Sequence, residues 1–149
     1  MIIKETLYNR CLNFIDERLI TVNKTISDIQ NSLQSETKSS AGDKHETGRA
    51  MLQLEREKAG HQLAEIEKHK HILQKINIYT KHQKVTLGSV VITTQANYFI
   101  AVSAGEIIVD NTVYFAISAS TPIAQLLLSK SVDDEIVFRG NGFRILSVL

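Results

Sequence analysis

The stretch SSAGDKHETGRA, residues 39–50, decides the fold, because a helical pattern stops there and then starts again. Upstream, Leu7, Cys11, Phe14/Ile15, Leu19, Val22, Ile26, Ile29 and Leu33 step by fours and threes. That is a heptad seam, the signature of a coiled coil. No Gly or Pro interrupts residues 4–36. Downstream, Met51/Leu52, Ala59, Leu63, Ile66, Leu73 and Ile76 continue a weaker seam, with Lys70 where an apolar residue is expected. Gly60 lies inside this second helix, at a cost of roughly 1 kcal/mol relative to Ala. Two helices joined by a short polar loop fold back antiparallel. The break also carries Asp43 and Glu46 at i and i+3. That is the spacing of a capping box, worth on the order of 1 kcal/mol. A capped carboxylate keeps lone pairs for a metal, so the spacing leaves both uses open.

After about Tyr79 the period changes to two. KVTLGSVVITT and ANYFIAVSAG read as strands, rich in Val, Ile, Thr and aromatics. EIIVDNTVYFAIS places a turn at Asp110-Asn111. In TPIAQLLLSK, Thr121 is the expected N-cap and Pro122 the first helical residue. DEIVF, GNG and FRILSVL read as a closing hairpin with its turn at 140–142. The expected architecture is α+β in two parts. An antiparallel helical hairpin arm spans 1–79, with its tip at 37–47. A small antiparallel sheet with one short helix spans 80–149. At 1.5 Å per residue, about 33 residues make an arm of roughly 50 Å. A domain of about 65 residues is too small to cover that arm, so its far half is expected in solvent or in a partner.

Composition excludes several classes. No run approaches the ~18 apolar residues of a membrane span. MIIKETLYNR has no apolar region after a basic start, so no signal peptide is expected. The single cysteine, Cys11, forms no internal disulfide and favours a reducing, cytoplasmic compartment. Residues 1–84 hold 14 Lys/Arg against 11 Asp/Glu, and residues 85–149 hold 3 against 5, an imbalance too small to announce a nucleic-acid binder. His61, His69 and His71 share one helix without zinc spacing, so a solvated helix face is the expectation. No catalytic triad, phosphate loop or nucleophile elbow can be assembled. The chain is therefore not expected to be an autonomous enzyme, or to bind a small-molecule substrate or a membrane.

The combination resembles the bacterial transcript-cleavage factors GreA and GreB. GDKHETGRA resembles that family's Gly-Asp-x-x-Glu-Asn tip, with the acids at the same spacing. TLGSVVIT resembles its opening strand with a central Gly. ISASTPIAQLLLSKSVDDEIVF resembles its Ile-Ser-x-x-Ser-Pro-Ile-Ala segment, which continues into Gly-Lys-x-x-Asp-Asp. The likeness covers nearly the whole chain.

The resemblance implies an FKBP-like second domain docked at the rim of the RNA polymerase secondary channel. The hairpin then passes down that channel, and Asp43 and Glu46 handle a second Mg²⁺ and a water near the RNA 3′ end. The polymerase's own centre cleaves the backtracked transcript. Mg²⁺ is thus implied only in the complex, and Ser120, Thr121, Pro122, Ile123 and Ala124 become part of the docking surface. Those five residues are equally well explained as a helix start with core apolar positions. The chain departs from the pattern at Thr47, Arg49 and Ala50, where the family usually has Asn, an acid and an aromatic. Family relatives exist that enter the channel and inhibit, so two outcomes stand side by side: stimulated cleavage and channel blocking. A coiled-coil interaction module without a polymerase role is the third.

Overall fold

The computed structural model describes the backbone of residues 2–38 and 43–149, and the side chains of residues 2–35 and 47–149. Two long helices come first, α1 (Ile2–Lys38) and α2 (Asp43–Gln74). Strands β1 (Val90–Thr93), β2 (Asn97–Ala101), β3 (Gly105–Val109) and β4 (Thr112–Ser118) follow. Helix α3 (Pro122–Leu127) then leads to β5 (Glu135–Phe138) and β6 (Asn141–Val148). The chain is α+β in two parts, as its two periods require. It divides into two compact units, Ile15–His69 and Met1–Phe14 with Lys70–Leu149.

In the helical unit the seam is real. Ile15, Val22, Ile26 and Ile29 of α1 are buried, as are Ala59 and Ile66 of α2. Each fully buried aliphatic side chain contributes roughly 1.5–3 kcal/mol of transfer free energy. Of the Met51/Leu52 pair, Met51 faces outward and Leu52 is half-buried. Arg49, Leu52, Arg56, Ala59, Leu63 and Ile66 are all buried or half-buried, at steps of three and four. The α2 seam is therefore continuous, with arginines at two of its positions. Gly60 stands beside one of them: a Cβ at residue 60 would lie 3.0 Å from Arg56 Nη1. The residue that looked like a helix weakness is a gap used by the guanidinium.

In the sheet unit, the helix ends bury Lys4, Leu7, Cys11 and Leu73. Cys11, Ile15 and Leu19 step by four twice, a break in the strict heptad that falls where the two units divide. Helix α2 stops at Gln74, so Ile76 is not a seam position as the sequence suggested. It packs instead over Gly88, whose φ is +89° and where a Cβ would lie 2.9 Å from Ile76 Cγ2. Gly88 also donates its N–H to Ile100 O at 2.7 Å.

The six strands lie in the order β3-β4-β2-β1-β6-β5. The pairs are antiparallel except β2 with β4, which run parallel with Tyr98 opposite Phe115 and Ile100 opposite Ile117. The expected all-antiparallel sheet is thus corrected at one pair. The reason is burial. In β2, Phe99, Ile100 and Ala101 are all buried, which demands a strand covered on both faces. In β3 only Ile107 is buried while Glu106 and Ile108 are exposed, a pattern suited to an edge. Strand β4 therefore inserts between them. Its turn from β3 has Asp110 and Asn111 at φ 50° and 65°, the two positive values a type I′ hairpin needs. The last hairpin turns at Arg139-Gly140, φ 52° and 81°, with Phe138 paired to Asn141. That corrects the expected turn at 140–142. Gly140 supplies one positive φ, and the Arg139 guanidinium lies 4.9 Å from the Phe138 ring centre. The core gathers Val85, Val91, Ile100, Ala124, Leu127, Ile136, Phe143 and Ile145.

Candidate functional site

Two regions carry the residues singled out by the sequence, one in each unit. The first is the break between α1 and α2. Helix α2 begins at Asp43, so Asp43 and Glu46 stand in its first turn. Their side chains lie outside the described residues, and so does the expected capping box. Just beyond, Arg49 is half-buried, and its Nη1 donates to Leu33 O of α1 at 3.1 Å. This bond pairs the helices. Stepped outward from this bond, an antiparallel seam implies the layers Leu33 with Arg49, Ile29 with Leu52, Ile26 with Arg56, Val22 with Ala59, Leu19 with Leu63 and Ile15 with Ile66. In the sequence Arg49 stands out only as a departure at the tip. Its 3-4 spacing from Leu52 and Arg56 is the signal that would have placed it on the seam.

The second region is the β4–α3 junction. Thr121 caps α3 as expected, its Oγ1 accepting from Ala124 N at 3.3 Å, and Pro122 is the first helical residue. Thr121 Oγ1 in turn donates to Ser118 O at 2.8 Å. Ser118 Oγ and Ser120 Oγ are 2.7 Å apart, and Ser120 N donates to Ser118 Oγ at 3.1 Å. The turn is therefore held rigidly by its own hydroxyls. Ser120 and Pro122 are exposed, Thr121 and Ile123 are half-buried, and Ala124 is fully buried. Of the five residues, Ala124 serves the core and only Ser120 and Pro122 present themselves freely to a partner. The segment offers a firm surface and no acid, base or nucleophile beyond hydroxyls.

A polar cluster in the sheet unit was missed by the sequence. Lys4 is 0% exposed and its Nζ donates to Thr80 O at 2.6 Å. Burial lowers its pKa. His82 Nδ1 lies 2.8 Å from Ser89 Oγ, which accepts from Thr86 N at 2.9 Å. Burial and then the Lys4 charge push the His82 pKa down, against a hydrogen bond that the ring donates to the Leu149 backbone. No sequence signal joins Lys4 to Thr80, 76 residues away. Burial also pushes the Cys11 thiol up to about 12, which leaves it unreactive. Among the described residues, no three His, Cys, Asp or Glu gather as a metal site, and no helix is long and apolar enough to cross a membrane.

No family profile and no curated protein matches the chain. Among the solved structures that match, that of the transcription factor Gfh1 aligns over 95% of this chain and 92% of its own at 20% identity, with a TM-score of 0.36.

Proposed function

We propose that this chain is a Gre-like accessory factor of bacterial RNA polymerase. In this reading it enters the secondary channel and stimulates the polymerase's own cleavage of backtracked RNA. The observation that carries it is the start of α2 at Asp43, which sets both acids in the first turn of a helix pair whose Ile15–His69 part forms a unit of its own. The resemblance of the tip and of the Pro-Ile-Ala block supports the same reading. Asp43 and Glu46 are the only groups asked to do chemistry. Two carboxylates fit Mg²⁺, a hard cation that takes one or two protein carboxylates and keeps its other positions for water and phosphate. The ion, when bound in the complex, supplies Lewis acidity at the polymerase's centre. The carboxylates of this chain contribute oxygen ligands and accept a hydrogen bond that orients water. The rigid turn at Ser120–Pro122 is the part proposed to rest on the polymerase rim. The chain itself is a cytoplasmic factor and not an enzyme.

The test uses stalled, backtracked elongation complexes. Asp43→Asn with Glu46→Gln is expected to abolish cleavage while binding to polymerase persists. Equal cleavage by the double variant refutes the mechanism. Inhibited synthesis without 3′ cleavage products selects the channel-blocking reading, which the basic neighbours Lys44, His45 and Arg49 keep open. Failure to bind polymerase or to compete with a known channel binder selects the coiled-coil module.

A further inference from the structure

We infer that Arg49 is a positioning residue, whose hydrogen bond to Leu33 O sets the register of α2 against α1 and thereby the depth at which Asp43 and Glu46 are presented. The inference rests on the proposed role of those acids. The apolar layers alone specify register poorly. Leu19, Val22, Ile26, Ile29 and Leu33 offer an aliphatic face at every step, and Leu52, Leu63 and Ile66 meet it equally well after a slide. A directional bond to a single carbonyl does not survive a slide. The acceptor lies near the end of α1, which stops at Lys38. The donor is a guanidinium, so the bond is charge-assisted.

Arg56 supplies the contrast. It stands one heptad after Arg49, on the same seam, yet its Nη1 lies beside Gly60. The corresponding neighbour of Arg49, four residues on, is Gln53, which offers no such gap. The two arginines thus have different seats: after a slide, Arg56 could donate to Leu33 O only by leaving the gap over Gly60. The displacement at stake is large. One seam layer is about 3.5 residues, and at 1.5 Å per residue a slip of one layer moves Asp43 and Glu46 by about 5 Å along the axis. Mg²⁺ accepts oxygens at about 2.0–2.1 Å, and misplacing a reacting group by ~1 Å costs on the order of 100-fold in rate.

The experiment reads register and activity separately in the full chain. Spin labels at Thr21→Cys and Gln53→Cys, both exposed sites, report the helix alignment, and buried Cys11 stays unlabelled. Arg49→Ala is expected to shift or broaden the label distance and to cut cleavage at least tenfold without loss of polymerase binding. Arg49→Lys, which can still donate to the carbonyl, is expected to restore both. Arg56→Gln, which removes a seam charge without touching the bond, leaves the distance unchanged. An unaltered, equally narrow distance in Arg49→Ala overturns the inference, as does an equal shift in Arg56→Gln. A shifted distance with undiminished cleavage overturns the positioning half. If the wild-type chain does not stimulate cleavage, a shift rescued by Arg49→Lys upholds the register role and refutes the proposed function instead.

Discussion

Gly88 is the position at which a single methyl group should cost the sheet unit most. Gly88→Ala meets two separate penalties. The backbone is at φ +89°, where an L side chain costs about 1–2 kcal/mol. The new Cβ would lie 2.9 Å from Ile76 Cγ2 and 3.6 Å from Cγ1, against a carbon–carbon optimum near 3.5–4.0 Å. Overpacking of that kind costs about 1–3 kcal/mol. The expected loss is therefore about 2–5 kcal/mol, a large share of a stability of roughly 5–15 kcal/mol. The partition can be measured. Ile76→Ala removes Cγ1 and Cγ2 and leaves only Cβ, 3.7 Å from the new methyl group. In the double variant the steric part vanishes while the backbone part stays, so the two changes should fall short of additivity by about 1–3 kcal/mol. Urea unfolding followed by far-ultraviolet circular dichroism suits a chain that has no Trp. A Gly88→Ala variant within about 0.5 kcal/mol of wild type, or a strictly additive cycle, would refute the packing argument.

Two further outcomes follow from the polar cluster and from the helix gap. An unfolded His takes its proton near pH ~6.5. His82 in the folded chain resists protonation to a lower pH because burial and the Lys4 charge disfavour the cation. Between those two values the unfolded chain binds more protons, so stability is full above about pH 6.5 and falls as pH drops through the lowered His82 pKa. Lys4→Met should move the His82 titration part of the way back, because Lys4 is the second cause and burial remains. An NMR titration midpoint at or above 6.5 in the wild type sinks this reasoning. Gly60→Ala should stabilise the helical unit by up to about 1 kcal/mol, since the only obstacle is the mobile end of Arg56. A loss in unfolding midpoint instead would show that the Arg56 seat matters more than helix propensity.

Much of the site was legible because its signals are local. Thr121-Pro122 announced a helix start, and Thr121 caps α3 through a bond only three residues long. Asp110-Asn111 announced a hairpin, and both residues hold the positive φ it requires. What could not be read were bonds that close over long stretches of chain. Lys4 looks like a solvated helix charge until Thr80 O receives it. Arg49 looks like a stray substitution until Leu33 O lies 3.1 Å away.

By itself, the sequence determined which segments are helix and which are strand, where both long helices carry an apolar seam, and that Asp43 and Glu46 stand where the second helix begins. These follow from side-chain period, capping and turn sterics, all of which act over a few residues. Tertiary structure alone decided the parallel pairing of β2 with β4, the packing of Ile76 over Gly88, the burial of Lys4 and the Arg49 bond that aligns the helix pair. Each depends on which distant faces exclude water together. A buried cation or an edge strand is tolerable only where another part of the chain supplies the missing partner, or where none is needed.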